Sequence, residues 1–232
     1  MQLTQAHITA FQNYILDWYS RHGRHDLPWR TQYDPYHVLV SEVMLQQTQV
    51  SRVIPKFESF LKTFPTIQDL AKATPKQIIQ EWQGLGYNRR GLFLQKTAAA
   101  VITQHKGKIP KTQQELIALP GVGPYTASAL GAFAFNQPVM VIETNIRAIF
   151  IHHFFPEVAT HEKDKKQIPD TALIPLIEQT LYTENPRLWY SALMDYGSTL
   201  KQLLPNPTRR SKQYAKQSTF KGSFRQLRGS LL

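Results

Sequence analysis

Two glycines one residue apart, in Leu119-Pro120-Gly121-Val122-Gly123-Pro124, constrain this chain more than any other feature. They lie between two segments with helical patterning, so they set a tight turn between helices, and Pro124 suits the first position of the helix that follows. Such a turn lets backbone N–H groups approach a partner closely while the next helix adds its positive N-terminal end. A phosphate fits that geometry. The same residues also serve an ordinary helix–helix turn, and the spacing leaves both readings open.

The rest of the chain reads as helix. Residues 5–22 repeat Ile8, Phe11, Tyr14, Ile15 and Trp18 at helical spacing. Asp34-Pro35 opens a second helix expected to run to about Val50, with Val38, Val40, Val43, Met44 and Val50 turned inward. Further helices are expected over 52–63, 67–72, from Thr74-Pro75 to Gly84, and over 91–105, 112–118, 125–135, 143–154, 170–182 and 186–203. No segment sustains period-two alternation, which makes the expected fold all-α. The expected arrangement is two helical lobes with the active site in the cleft between them. One is a six-helix, barrel-like domain over 25–135 holding the helix-hairpin-helix. The other is a discontinuous lobe from 1–24 and 136–204, followed by a basic tail over 205–232.

Charge points to a polyanionic partner. The net charge is +11, yet residues 201–232 hold eight Lys or Arg and no acid, leaving 19 basic against 16 acidic residues in the first 200. That last stretch is rich in Gln and Ser and has no strong amphipathic stripe, so nucleic acid is favoured over an anionic membrane. A merely solubilising tail is the alternative, and Gly222 and Ser223 are weaker candidates for phosphate contact. The chain has no cysteine, which excludes disulfides, thiolate zinc sites, a cysteine nucleophile and a cysteine-held iron–sulfur cluster. His152 and His153 are adjacent and so face different ways on a helix; no metal and no cofactor are expected. The first residues lack a basic, then apolar, leader, and no apolar run approaches a bilayer span. The expectation is a monomeric cytoplasmic, nucleoid-associated protein without membrane partners.

Three constellations carry chemistry. Glu42, Gln46 and Gln49 fall at i, i+4 and i+7, placing a carboxylate and two amides on one helical face, although a solvated face would look the same. Tyr87-Asn88-Arg89-Arg90, after Gly84-Leu85-Gly86, offers an aromatic ring beside two cations, suited to stacking on a base while neutralising phosphate. Glu42 and Glu143 together suffice for cleaving a sugar–base bond, where one carboxyl kept protonated by burial supplies a proton and the other keeps its charge near a cationic sugar. Arg30 and Arg147 join the hairpin and the Tyr87 loop as candidate DNA contacts.

The runs Leu27-Pro28-Trp29-Arg30, Asp34-Pro35-Tyr36 and Ser41-Glu42-Val43-Met44-Leu45-Gln46-Gln47-Thr48-Gln49-Val50 closely resemble the start of adenine DNA glycosylases of the MutY type. Gly84-Leu85-Gly86-Tyr87 and Leu119-Pro120-Gly121-Val122-Gly123 continue the likeness, which covers about residues 8–200. The resemblance implies a general acid at Glu42 and residues that enter the duplex during base flipping at Gln47 and Tyr87. It also implies a phosphate-binding hairpin at Gly121, Val122 and Gly123, and a polar active-site residue at Asn145. Tyr125 stands where bifunctional relatives carry a lysine nucleophile, which implies simple hydrolysis.

Three features depart from the family pattern. Glu143 falls where the family has a catalytic aspartate. The four cluster-binding cysteines expected after Met194-Asp195-Tyr196-Gly197 are missing, with Lys201 near the first such place. The chain also stops at Leu232, short of the family's domain that reads 8-oxoguanine, and the basic tail is expected to replace part of the lost DNA contact. The resulting expectation is a monofunctional glycosylase that removes adenine from a mispair in double-stranded DNA during base excision repair. The alternatives are a glycosylase for another base, such as thymine or uracil opposite guanine or an oxidised pyrimidine, and a catalytically silent DNA-binding homologue.

Overall fold

Thr4, Asp34, Thr66, Thr74, Thr112 and Asn185 each place a side-chain oxygen on N–H groups of the following turn, and each opens a helix. Capping boxes at Thr66/Asp69 and Thr74/Gln77 satisfy the cap residue's own N–H as well. The computed structural model describes residues 1–156, 167–215, 222, 226 and 227. Among them the fold is all-α, and the one backbone pairing of strand type is a single bridge between Ile168 and Ser211.

The helices are α1 (Gln5–His22), α2 (Pro28–Thr31), α3 (Pro35–Leu45), α4 (Val50–Thr63), α5 (Ile67–Lys72), α6 (Pro75–Trp82) and α7 (Arg89–His105), then α8 (Gln113–Ala118), α9 (Pro124–Ala129), α10 (Thr144–Phe154), α11 (Asp170–Gln179) and α12 (Pro186–Leu203). A π-helical turn, Leu130–Ala134, continues α9, and a 3-10 turn, Pro207–Arg210, follows α12.

Their apolar faces bury into two cores. One spans Leu27 to Ala134 and centres on Leu39, Met44, Phe60 and Trp82. The other draws Phe11, Ile15 and Tyr19 of α1 against Phe150 of α10 and Trp189, Tyr190 and Leu193 of α12. The cores meet at the π turn, where Leu130 and Ala134 belong to the first, Ala132 to the second, and Phe133 packs on both.

The structure revises four expectations. α3 stops at Leu45, Gln47 takes the left-handed conformation (φ 55°), and Gln49 caps α4, so Glu42, Gln46 and Gln49 do not share a helical face. The helix expected over 125–135 divides into α9 and the π turn, and α11 ends at Gln179. Residues expected to begin a basic tail form a strap instead: Pro207, Thr208 and Ser211 are buried, the Ile168 N–H donates to the Arg210 carbonyl (2.7 Å) and the Lys212 N–H to that of Ile168 (2.9 Å). Arg210 turns back to the Phe155 carbonyl at 2.6 Å, closing the strap over the end of α10. Ser223, the four later basic residues Lys216, Lys221, Arg225 and Arg228, and the charged stretch 157–166 lie outside the described residues. No helix among the described residues is long and apolar enough to cross a membrane.

Candidate active site

The hairpin glycines differ in kind. Gly121 has φ +81°, and a Cβ there would stand 2.7 Å from Cβ of Phe93, so both backbone and space require glycine. Gly123 caps α9, has ordinary φ (−89°) and open space beside it. Val122 is an anchor: its side chain is buried in the first core and its N–H donates to the Leu119 carbonyl at 3.1 Å. Thr97 of α7 holds the turn from behind by donating to the Pro120 carbonyl at 2.5 Å.

Beside the π turn, between the two cores, opens a cleft of about 540 Å³ lined by Trp29, Glu42, Tyr125, Glu143, Asn145 and Met194 among others. Glu42 reaches it from the last turns of α3, in the first lobe. Burial pushes its carboxyl up to about 7, against the opposing pull of the Tyr125 hydrogen bond and of Arg30, and the neighbouring charge of Glu143 adds to the rise. Tyr125, at the start of α9, donates its hydroxyl to Glu42 Oε2 at 3.1 Å. Burial and the two carboxylates raise that phenol well above its ordinary range, so it stays a donor.

Glu143 faces the cleft from the second lobe as the N-cap of α10. Its Oε1 accepts from the N–H groups of Asn145 (2.5 Å) and Ile146 (3.0 Å), and Asn145 Nδ2 donates to Oε2 at 3.3 Å. Burial raises this carboxyl too, but those backbone donors and the positive charges of Lys201 and Arg147 pull against the rise. Lys201, near the place where the family pattern has its first cluster cysteine, is thus part of the electrostatics around Glu143. With two helix N–H groups and two cations nearby, Glu143 is the carboxyl equipped to hold a charge, and Glu42 the one equipped to hold a proton.

Arg30 and Arg147, the two arginines expected to contact DNA, line the same cleft, and each is paired with an acid. The Arg30 guanidinium donates to both oxygens of Asp195 (2.7 and 3.0 Å) and to the Arg24 carbonyl (3.0 Å), while Arg147 forms a two-pronged pair with Asp170 (2.8 and 2.7 Å). Asp195 is 2% exposed and also accepts from Arg24. Although burial works against ionisation, Arg30 and Arg24 hold its carboxyl below the usual range. This buried knot joins the loop after α1, α2 and α12, and so fastens the cleft's two walls together. A solitary acid in the apolar run around Trp189 to Tyr196 was the only sequence sign of it.

Gln47 and Tyr87, the residues expected to enter a duplex, both lie on exposed turns, and both have positive φ (55° and 49°). No thiolate-held cluster fits the end of α12: the residues after Gly197 bring an ammonium, amides, hydroxyls and the strap's carbonyls. Among the described residues no group of three or more His, Cys, Asp or Glu is placed to hold a metal ion.

A helix-hairpin-helix beside a two-carboxyl cleft defines a class, and the sequence match agrees: the chain belongs to the HhH-GPD superfamily of base excision DNA repair proteins, whose family model matches residues 40–171. Among curated relatives, the human adenine DNA glycosylase is 42% identical over 204 residues, 84% of this chain and 36% of that protein. The adenine DNA glycosylase of Mycolicibacterium smegmatis is 33% identical over 242 residues, covering 94% of this chain and 78% of that protein. Of the human, rat, mouse and one of the Buchnera aphidicola relatives, the chain spans 29–41% of the length. Among solved structures, a thermostable thymine-DNA glycosylase superposes with a TM-score of 0.71 at 26% identity, over 82% of this chain and 86% of that one.

Proposed function

We propose that this protein hydrolyses the N-glycosidic bond of a mispaired adenine in double-stranded DNA, as a monofunctional glycosylase of base excision repair. The observation that carries the reading is a carboxyl with its proton affinity raised to about 7, Glu42, lining the same cleft as a helix-capping carboxylate, Glu143. A purine leaves easily only when a ring nitrogen is protonated. Glu42 donates that proton, the C1′–N bond breaks with its electron pair going to the base, and Glu143 lowers the energy of the cationic sugar that remains. Water adds to C1′ and gives up a proton to a carboxylate, leaving a free base and an abasic sugar. Tyr125 offers a phenol hydrogen-bonded to Glu42 rather than an amine, which supports hydrolysis over Schiff-base chemistry. Asn145 holds Glu143 in place, the hairpin around Gly121 and Gly123 receives a phosphate, and Gln47 and Tyr87 enter the stack when the nucleotide swings out. Several curated relatives at 32–45% identity are named for this activity.

The test is to incubate the pure protein with duplexes carrying each mispair and common damaged bases, and to identify any base released. Free adenine from a mispair supports the reading; no release from any duplex removes it. Likeness to the thymine-DNA glycosylase favours one second reading, release of a mispaired pyrimidine. Glu42→Gln separates the two, since pyrimidine release does not require ring-nitrogen protonation.

A further inference from the structure

Two loops that are far apart in the chain converge on one side chain. The Arg90 guanidinium, at the start of α7, donates through Nη1 to the carbonyls of Val43 (2.7 Å), Met44 (3.0 Å) and Gln46 (2.6 Å). Through Nη2 it donates to Thr48 Oγ1 (3.1 Å) and to the carbonyls of Leu85 and Gly86 (3.0 Å each). Its plane also lies against the rings of Trp82 (5.6 Å) and Tyr87 (5.7 Å). The first three carbonyls end α3 just before Gln47; the last two immediately precede Tyr87. Both of those residues hold left-handed backbones that side chains other than glycine rarely adopt. Such conformations persist only where surrounding bonds over-determine them, and here one planar, five-donor group supplies bonds to both turns at once.

We infer that Arg90 is a positioning residue that fixes Gln47 and Tyr87 relative to each other, so that the two enter a DNA duplex as one rigid pair. This rests on the glycosylase reading of the cleft. An ordinary phosphate-binding arginine would turn its donors outward to solvent. Arg90 instead places six donor–acceptor contacts on protein oxygens, none of them a carboxylate. Its charge is matched by carbonyl dipoles at the negative end of α3, so the group sets geometry without cancelling positive potential near the DNA.

Lysine keeps the charge and loses the fork, which makes Arg90→Lys the informative change, with Arg90→Met as its neutral counterpart. Single-turnover base release is measured on a duplex with mispaired adenine and on one in which the same adenine faces an abasic-site analogue, where no pair has to be broken. Both variants are expected to lose roughly 10- to 100-fold on the mispair, the scale that small misplacements cost, and several-fold less on the unpaired target, with an unchanged pH profile. Rescue by lysine would reassign Arg90 to charge neutralisation and overturn the inference. Equal losses on both duplexes would overturn it too, by making the role one of general fold integrity. Should the natural protein release no base, the glycosylase reading fails on its own. Fluorescence of 2-aminopurine at the target position, which rises when a base leaves the stack, still compares natural protein with variants: an unchanged rise in both variants would overturn the Arg90 assignment, and a diminished one would uphold it.

Discussion

The first core is made from an unbroken run of chain, Leu27 to Ala134, whereas the second joins α1 to α10, α11 and α12 across more than a hundred intervening residues. In the first lobe, helix ends are set by local caps such as Thr66 and Thr74, and the hairpin is held by its neighbour α7. In the second, the fastening is long-range: Asp195 with Arg24 and Arg30, the edge-to-face rings of Phe11, Phe150 and Trp189, and the strap over Ile168. Each lobe gives one carboxyl to the cleft, and each treats it in its own way. The locally organised lobe buries Glu42 with a phenol for company, and the long-range lobe seats Glu143 on a helix end.

That division is tested most severely at the carboxyls. Glu42→Gln should lower adenine release by roughly 10²- to 10⁴-fold, the usual worth of a positioned acid, in a single-turnover assay. Glu143→Asp keeps a good helix cap and draws the charge back by one methylene, so a loss of roughly tenfold is expected. A Glu143→Asp variant faster than the natural protein would mean that the second lobe sets its carboxylate badly, and would favour the silent-homologue reading.

The fastening comes next. Asp195→Ala leaves Arg30, whose side chain is 10% exposed, buried without its partner, and should cost about 3–5 kcal/mol in urea unfolding. Asp170→Ala removes the more open partner of Arg147 (both side chains 19% exposed) and should cost about 1 kcal/mol. Similar losses for the two would erase the special status of the knot between lobes.

Burial of Glu42 also has a sign in stability. With a folded value of about 7 against an ordinary 4.5, the carboxyl is neutral in both states below pH 4.5 and costs nothing there. As pH rises to about 7 the unfolded chain releases this proton while the native one keeps it, so stability falls and then levels off. Glu42→Gln should therefore match the natural protein near pH 4 and exceed it by on the order of 2 kcal/mol at pH 8. Equal melting temperatures at pH 8 would show that the acid sits in water.

The smallest effects separate the two glycines. Gly121→Ala must accept both a left-handed backbone and contact with Phe93, and should lose about 1–2 kcal/mol. Gly123→Ala should lose under about 0.5 kcal/mol and act mainly on DNA affinity.

Local signals in the sequence were enough for most helix boundaries, because caps and prolines act within a turn of themselves: α1, α5 and α12 span the residues their patterns predict. α3 ends short of Val50, where Gln47 turns left-handed and Arg90, forty-five residues beyond Leu45, donates to the carbonyls of Val43 and Met44. Nothing near Leu45 announces that. Glu42, Tyr125, Glu143 and Asn145 were each visible as residue types in motifs, and the structure brings all four to one cleft. The acid partners of Arg30 and Arg147 are not legible locally, because Asp195 and Asp170 stand 165 and 23 residues away. The strap is hard to tell from a tail in the sequence because basic residues surround the buried Pro207 and Thr208.

The Asp195 knot also orders events during synthesis. Its bonds span 165 to 171 residues, so the loop around Arg24 waits for its partner until α12 has left the ribosome. The first lobe, complete once Ala134 has emerged, can fold by then. The second lobe closes late, because its contacts join the two ends of the described chain, Tyr14 to Tyr196 among them, and its closure is the step that assembles the cleft.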